Sequence, residues 1–134
     1  MLAAGQNYLL FDGECGICTA SAQFAKRLDS RRQFHILPYQ QILEAELQRC
    51  GASYEKCSRR VHVLSHSGKI YTGAFAVNYF LWHYFPWNVL VAVLHIASIF
   101  LLLEVILYAI IARHRRRLSQ WLGLTACAIS PQKL

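Results

Sequence analysis

A chain of 134 residues is one domain, large enough for a real core, and leaves no room for a second domain. Hydrophobic residues make up 55% and the mean hydropathy is +0.27, high for a soluble protein this small. The net charge of +7 gathers at 113–117, Arg59-Arg60, Lys26-Arg27 and Arg31-Arg32, a balance that suits nucleic acid or an anionic membrane surface. The first residues carry neither a positive n-region nor an apolar run of signal-peptide length, so the chain is read as cytoplasmic, with reduced thiols. Five cysteines, an odd count, then argue against a structural disulfide framework and for a catalytic or metal role of the CxxC.

Tyr8-Leu9-Leu10-Phe11 has the length and side chains of a buried strand, and Asp12-Gly13 signals a chain reversal. Cys15-Gly16-Ile17-Cys18 follows, and from there the apolar spacing becomes helical. Ile17, Phe24, Ala25 and Leu28 share one face with Ser21 between them, while Lys26, Arg27 and Asp29 fall off it. The helix fades at 30–32, and Phe34-His35-Ile36-Leu37 reads as a second strand closed by Pro38. A modest second helix is predicted over 42–50, where Leu43 and Leu47 lie one turn apart, and the polar stretch 52–60 is predicted as a loop. Val61-His62-Val63-Leu64 and Ile70-Tyr71-Thr72 form a hairpin about the turn His66-Ser67-Gly68-Lys69. An aromatic-rich helix over 74–85 is stopped by Pro86. The order βαβα then ββα is that of the thioredoxin fold, an α/β class. Residues 1–86 are the core with the CxxC, and 87–134 are an apolar helical extension with a basic tail, part of the same domain.

Within the extension, 89–112 is interrupted only by His95, Ser98 and Glu104. Such a run is long enough to cross a bilayer, and the arginines at 113–117 supply a basic flank. Glu104 opposes a span, at roughly 2.5–3.5 kcal/mol if it behaves like Asp at a helix centre. The competing reading is a pair of helices packed over the domain and broken near Ser98. Peripheral membrane contact or an oligomer interface through 89–112 is a third.

Two cysteines where a strand hands over to a helix are suited to dithiol chemistry. The free N–H groups and partial positive charge of a helix N-terminus stabilise a thiolate, and a disulfide closes across one turn with little strain. The first cysteine, Cys15, is expected to be exposed at the helix tip and to attack. Cys18, one turn inside, resolves the mixed disulfide. Asp12 has two readings: a carboxylate that handles a thiol proton, or a residue that caps the helix and shapes the Asp12-Gly13 turn. Its charge opposes the helix dipole, which leaves the sign of the net shift on Cys15 open.

Zinc sites also use CxxC, and Cys50, Cys57, His62 and His66 are available as partners, though C-x6-C and H-x3-H is not a common knuckle spacing. That alternative is a non-catalytic zinc- or partner-binding module. The cluster at 113–117 is suited to phosphates, but no aromatic platform accompanies it. A solvated helix face with some arginines paired inward accounts for it, so no nucleic acid is expected.

With these residues in view, the chain resembles the DCC family of thiol–disulfide oxidoreductases, named for Asp-x-x-Cys-x-x-Cys. Asp12-Gly13-x-Cys15-x-x-Cys18 after an apolar strand matches that signature. Leu37-Pro38-Tyr39-Gln40, Gly68-Lys69-Ile70-Tyr71-x-Gly73-x-x-Ala76 and Tyr108-x-x-x-Ala112-x-x-Arg115 are similar to its later elements, and Cys127 to its terminal cysteine. The resemblance implies a thioredoxin-like fold and dithiol–disulfide exchange at Cys15 and Cys18. It implies no cofactor, a disulfide-bearing substrate and an external thiol reductant. The chain departs from the pattern at Ser98-Ile99, where many members carry a proline. It also lacks the proline that in thioredoxins precedes the strand corresponding to 61–64.

Overall fold

The computed structural model describes residues 2–123. Four strands form one mixed sheet: β1 (Asn7–Phe11), β2 (Phe34–Pro38), β3 (His62–Leu64) and β4 (Ile70–Thr72), in the order β2-β1-β3-β4. β1 runs parallel to β2, with Leu9 opposite Ile36, and antiparallel to β3, with Leu9 opposite Val63. β3 and β4 make the expected antiparallel hairpin. Helix α1 (Gly16–Leu28) is the crossover between the parallel pair. This is the thioredoxin-like arrangement that the element order implies.

Both faces of the sheet are covered, so alternate residues of β1 serve two cores. Leu9 and Phe11 pack with Ala22, Ala25, Phe34, Ile36, Val63 and Phe80 on the side of α1 and α4 (Ala74–Trp82). Tyr8 and Leu10 pack with Tyr39, Ile42, Leu47 and Cys57 on the side of α2 (Glu44–Arg49) and α3 (Tyr54–Arg59). Each fully buried aliphatic side chain contributes about 1.5–3 kcal/mol. The turn from α1 into β2 is held by the buried Asp29 carboxylate. It accepts from the N–H groups of Gln33 and Phe34 at 2.7 and 3.0 Å and from the Tyr84 hydroxyl at 2.7 Å.

Several expected boundaries shift. The stretch predicted as a loop contains α3, nucleated by Ser53, whose hydroxyl accepts from Lys56 N–H, and anchored by the buried Cys57. Residues 39–41 form a 3₁₀ turn, and α2 begins at Glu44 rather than 42. α4 ends at Trp82, because Phe85 precedes a proline and is disfavoured in helical conformation. On α1 the buried positions are Gly16, Ala22 and Ala25, whereas Phe24, expected inside, is 47% exposed and packs edge-on against Trp87.

The apolar extension is two helices, α5 (Trp87–Ile96) and α6 (Ser98–Trp121), which meet at Ala97 with a bend of 111°. No single helix among the described residues is long and apolar enough to cross a membrane; the bent pair together meets that test by length and composition. α6 is polar on its inner face. Glu104 accepts from the Asn78 amide at 2.9 Å, and the Tyr108 hydroxyl accepts from Val61 N–H at 3.1 Å. Its outer face, including Ile99, Leu102, Leu103, Ile106, Leu107 and Ile110, is exposed. Close docking of α6 is permitted by Gly73, at φ +62°, where an added Cβ would lie 3.3 Å from the Tyr108 ring.

Candidate active site

The carboxyl end of β1 delivers Asp12, Gly13 and Glu14 to the tip of α1, with Cys15 as the capping residue. The Cys15 backbone is extended, and its Sγ accepts the Cys18 N–H at 3.3 Å, so the thiol occupies the place usually taken by a Ser or Asp oxygen. Donation from the Cys18 thiol is the largest influence on Cys15 and brings its pKa down from 9.0 to about 6, against the opposing effect of burial. The Cys18 backbone N–H and the Arg115 guanidinium add to the lowering, and Asp12 opposes it least of the named groups. The same shared hydrogen, with burial, pushes Cys18 upward, so Cys18 holds its proton more tightly than Cys15 does. The net shift of Cys15 is downward.

Asp12 is buried, and both its oxygens are occupied. Oδ1 accepts from Glu14 N–H at 3.0 Å and from the Gln40 amide at 2.8 Å, while Oδ2 accepts from Arg115 Nη2 at 3.1 Å. Gly13 N–H donates to Gln40 Oε1 at 3.2 Å. No hydrogen bond joins Asp12 to either sulfur among the described residues. Its contacts are with the turn and with a cation, and Cys15, rather than Asp12, caps the helix. Arg115 reaches from α6, donates to Cys18 Sγ at 3.7 Å and to the Ser58 carbonyl, and pairs with Asp12 where both side chains are nearly dry. A charge-assisted contact of this kind is stronger than a surface pair.

The expectation of an exposed Cys15 is corrected. Cys15 is only 5% exposed, and Cys18 is half-buried. The last turns of α6 lie on the first turn of α1, where the buried Ser119 hydroxyl accepts Ile17 N–H at 3.0 Å, satisfying one of the orphan donors of the helix start. At the neighbouring end of the sheet, no proline precedes β3, and the Val61 N–H is engaged by Tyr108. Of these groups, Gln40, Tyr108 and Arg115 stood in the motifs that resemble the DCC family, without a role. Ser119 carried no sequence signal.

The proposed zinc partners are not gathered. Cys57 is buried with its thiol pushed up to about 11 by burial, and Cys50 is half-buried at the end of α2. His62 is buried with Nδ1 against the Arg60 carbonyl at 2.9 Å, and His66 lies exposed in the hairpin turn. Among the described residues no three His, Cys, Asp or Glu side chains cluster to hold a metal ion. Cys127 lies outside the described residues. In the basic cluster Arg113, Arg116 and Arg117 are exposed, whereas Arg115 alone turns inward.

Beside Cys18, between the sheet, α1, α4, α5 and α6, lies a cavity of about 450 Å³ lined mainly by apolar side chains. A second hollow of about 540 Å³ between α4 and α5 has neither Cys15 nor Cys18 in its lining.

The family model for DCC1-like thiol-disulfide oxidoreductase matches residues 9–121, from β1 to the last turn of α6. The chain belongs to that family. The match includes every residue of the constellation around Cys15 and Cys18. The activity of this DCC1-like chain, at the level of the family, is therefore catalytic thiol–disulfide exchange with a disulfide-bearing redox partner. No curated protein and no solved structure matches it.

Proposed function

We propose that Cys15 is the attacking thiolate and Cys18 the resolving thiol, with Asp12 and Gly13 as supporting residues. The observation that carries the assignment is the capping position of Cys15, which concentrates negative charge on its sulfur while Cys18 keeps the proton. Cys15 Sγ attacks a disulfide sulfur of a protein or small molecule, the S–S bond breaks, and the leaving thiolate takes a proton from solvent. Cys18 then loses its proton and attacks Cys15 Sγ, which forms the Cys15–Cys18 disulfide and releases the second thiol. Arg115, already on Cys18 Sγ, stabilises the thiolate that develops there. An external thiol reductant restores the pair. Asp12 acts by holding Arg115 and the turn.

The hydrogen bonds from Glu104, Tyr108, Arg115 and Ser119 to the core support reading 1–86 and 87–134 as one domain. The exposed apolar faces of α5 and α6, followed by Arg113, Arg116 and Arg117, support seating on a membrane surface. The anionic cytoplasmic leaflet is the surface that such a cluster prefers. Flotation with anionic vesicles but not with neutral ones is the expected result; equal recovery with both, or with neither, would contradict this seating.

A redox titration in defined thiol buffers, with mass mapping, tests the dithiol. A reversible Cys15–Cys18 disulfide with a potential in the range of roughly −120 to −270 mV is expected. A pair that never closes refutes the assignment.

A further inference from the structure

We propose that the cavity beside Cys18 binds a lipid-soluble quinone, which takes the two electrons of the Cys15–Cys18 dithiol. The inference rests on the dithiol assignment above and adds the chemical class of an electron acceptor. Its volume of about 450 Å³ lies in the range of small-molecule pockets, and its walls are built from Phe11, Ala22, Val77, Phe80 and Trp87. Cys18 lines this space, whereas Cys15 does not. Arg115 and Tyr108 line it too, with Asp12, Arg59 and Arg60 beside them, so cations, one carboxylate and a phenol stand in the same enclosure as one sulfur of the pair.

Tyr108 narrows the ligand class. Its oxygen accepts the Val61 N–H, but its own O–H has no acceptor among the described residues. A partly buried donor without an acceptor favours a ligand with a carbonyl oxygen. A peptide suits the cavity poorly. Its backbone N–H groups would meet apolar walls, and the Val61 N–H, which could have paired with an added strand, is already taken. The ligand that fits is apolar, flat enough for aromatic walls, an acceptor rather than a donor, and able to receive two electrons. The rim agrees: Phe24 and Ile111 line the cavity and are 47% and 39% exposed, and Ile111 continues the outward apolar face of α6. A ligand dissolved in lipid reaches the cavity from that side.

The chemistry balances. The shared hydrogen moves to Cys15 as the Cys18 sulfur adds to a ring carbon; a C–S bond forms, the π pair moves to a carbonyl oxygen, and that oxygen takes the proton from Cys15. The Cys15 thiolate then attacks Cys18 Sγ, so the S–S bond forms and the C–S bond breaks. The released pair returns to the ring, which becomes the hydroquinone once a solvent proton reaches its second oxygen. The dithiol is oxidised, the quinone reduced, and one proton is drawn from solvent overall. Arg115 and the Tyr108 O–H face the oxygen on which negative charge develops.

The test uses the full chain, reduced, in detergent micelles without oxygen. The probe is a fully ring-substituted benzoquinone with a short alkyl tail, and oxidised glutathione is offered in a parallel reaction. One hydroquinone per Cys15–Cys18 disulfide, a rate that saturates with quinone, and a roughly tenfold slower reaction in Tyr108→Phe are expected. Saturable quenching of Trp87 in a Trp82→Phe/Trp121→Phe background gives a binding readout that needs no catalytic variant. If glutathione closes the disulfide but the quinone reacts without saturation, at the rate of a small free dithiol, the quinone inference is overturned and the dithiol assignment stands. Closure with neither oxidant refutes both. Displacement of the bound quinone by a disulfide-bonded protein would assign the cavity to a protein substrate and overturn the inference as well.

Discussion

Helix α1 turns Ala22 and Ala25 to the sheet and Lys26 and Arg27 to solvent, whereas α6 turns Glu104, Tyr108, Arg115 and Ser119 to the domain and Leu102, Leu103 and Ile106 away from it. α1 is held by burial of small apolar groups, the usual arrangement of a surface helix. α6 is held by directional contacts, hydrogen bonds and an ion pair, while its outward apolar residues stay exposed. Directional contacts place a side chain more narrowly than burial does. That is what a guanidinium aimed at one sulfur requires. The outward face is left to whatever apolar medium lies against it.

The division of labour can be broken at its strongest point first. Cys15→Ser should abolish closure of the disulfide and reduce exchange to background in an insulin or small-disulfide assay, while far-UV dichroism stays unchanged. Next comes the core of the sheet. Leu10 is 1% exposed, and Leu10→Ala should destabilise the fold by about 2–5 kcal/mol in urea titration.

Arg115→Gln tests the directional side of the comparison. The Cys15 alkylation profile, with a midpoint near pH 6 in the parent, should move to higher pH, with a roughly threefold to tenfold slower reaction at pH 6. Arg115→Lys should recover only part of this, because a point charge does not span Asp12, Cys18 and the Ser58 carbonyl together. The same thiolate sets a pH dependence of stability. Its pKa is lower in the folded chain, about 6, than the ordinary 9.0, so the stabilisation is complete above pH 9 and is lost as the pH falls through 6. The disulfide form has no such thiolate. Urea unfolding of both forms should therefore show the reduced protein gaining on the oxidised one from pH 6 to pH 9, and parallel curves would refute it.

The smallest effect is expected on the outward face of α6. Leu103→Ala on the outward face of α6 should change stability in detergent by no more than about 0.5 kcal/mol. A loss comparable to that of Leu10→Ala would mean that the face is packed against the protein itself.

Much of the fold was legible because β1 to β4 are short apolar runs with strong turn signals between them, and the CxxC lies where such a run gives way to helical spacing. α3 was not, since its one buried apolar anchor, Cys57, makes no periodicity in a polar stretch. The inner face of α6 was hidden for the opposite reason: in a run so apolar, Glu104 reads as an interruption rather than as the mark of a face. Arg115 was lost in a row of arginines, and only the helical phase set by Tyr108 and Ser119 separates it from its neighbours. The 5% exposure of Cys15 was beyond local reading, because it depends on how separate elements pack rather than on the residues around the CxxC.

The pairing of Asp12 with Arg115 spans 103 positions of the chain. A ribosome therefore releases the two cysteines long before the guanidinium that faces them, and synthesis proceeds from the N-terminus at about 5–20 residues per second. For those seconds the nascent CxxC lacks the Arg115 contribution to a low thiol pKa and the Ser119 hydroxyl that accepts Ile17 N–H. The cation arrives with α6, so the fully tuned dithiol belongs to the finished chain. A late helix thus times the chemistry of an early motif.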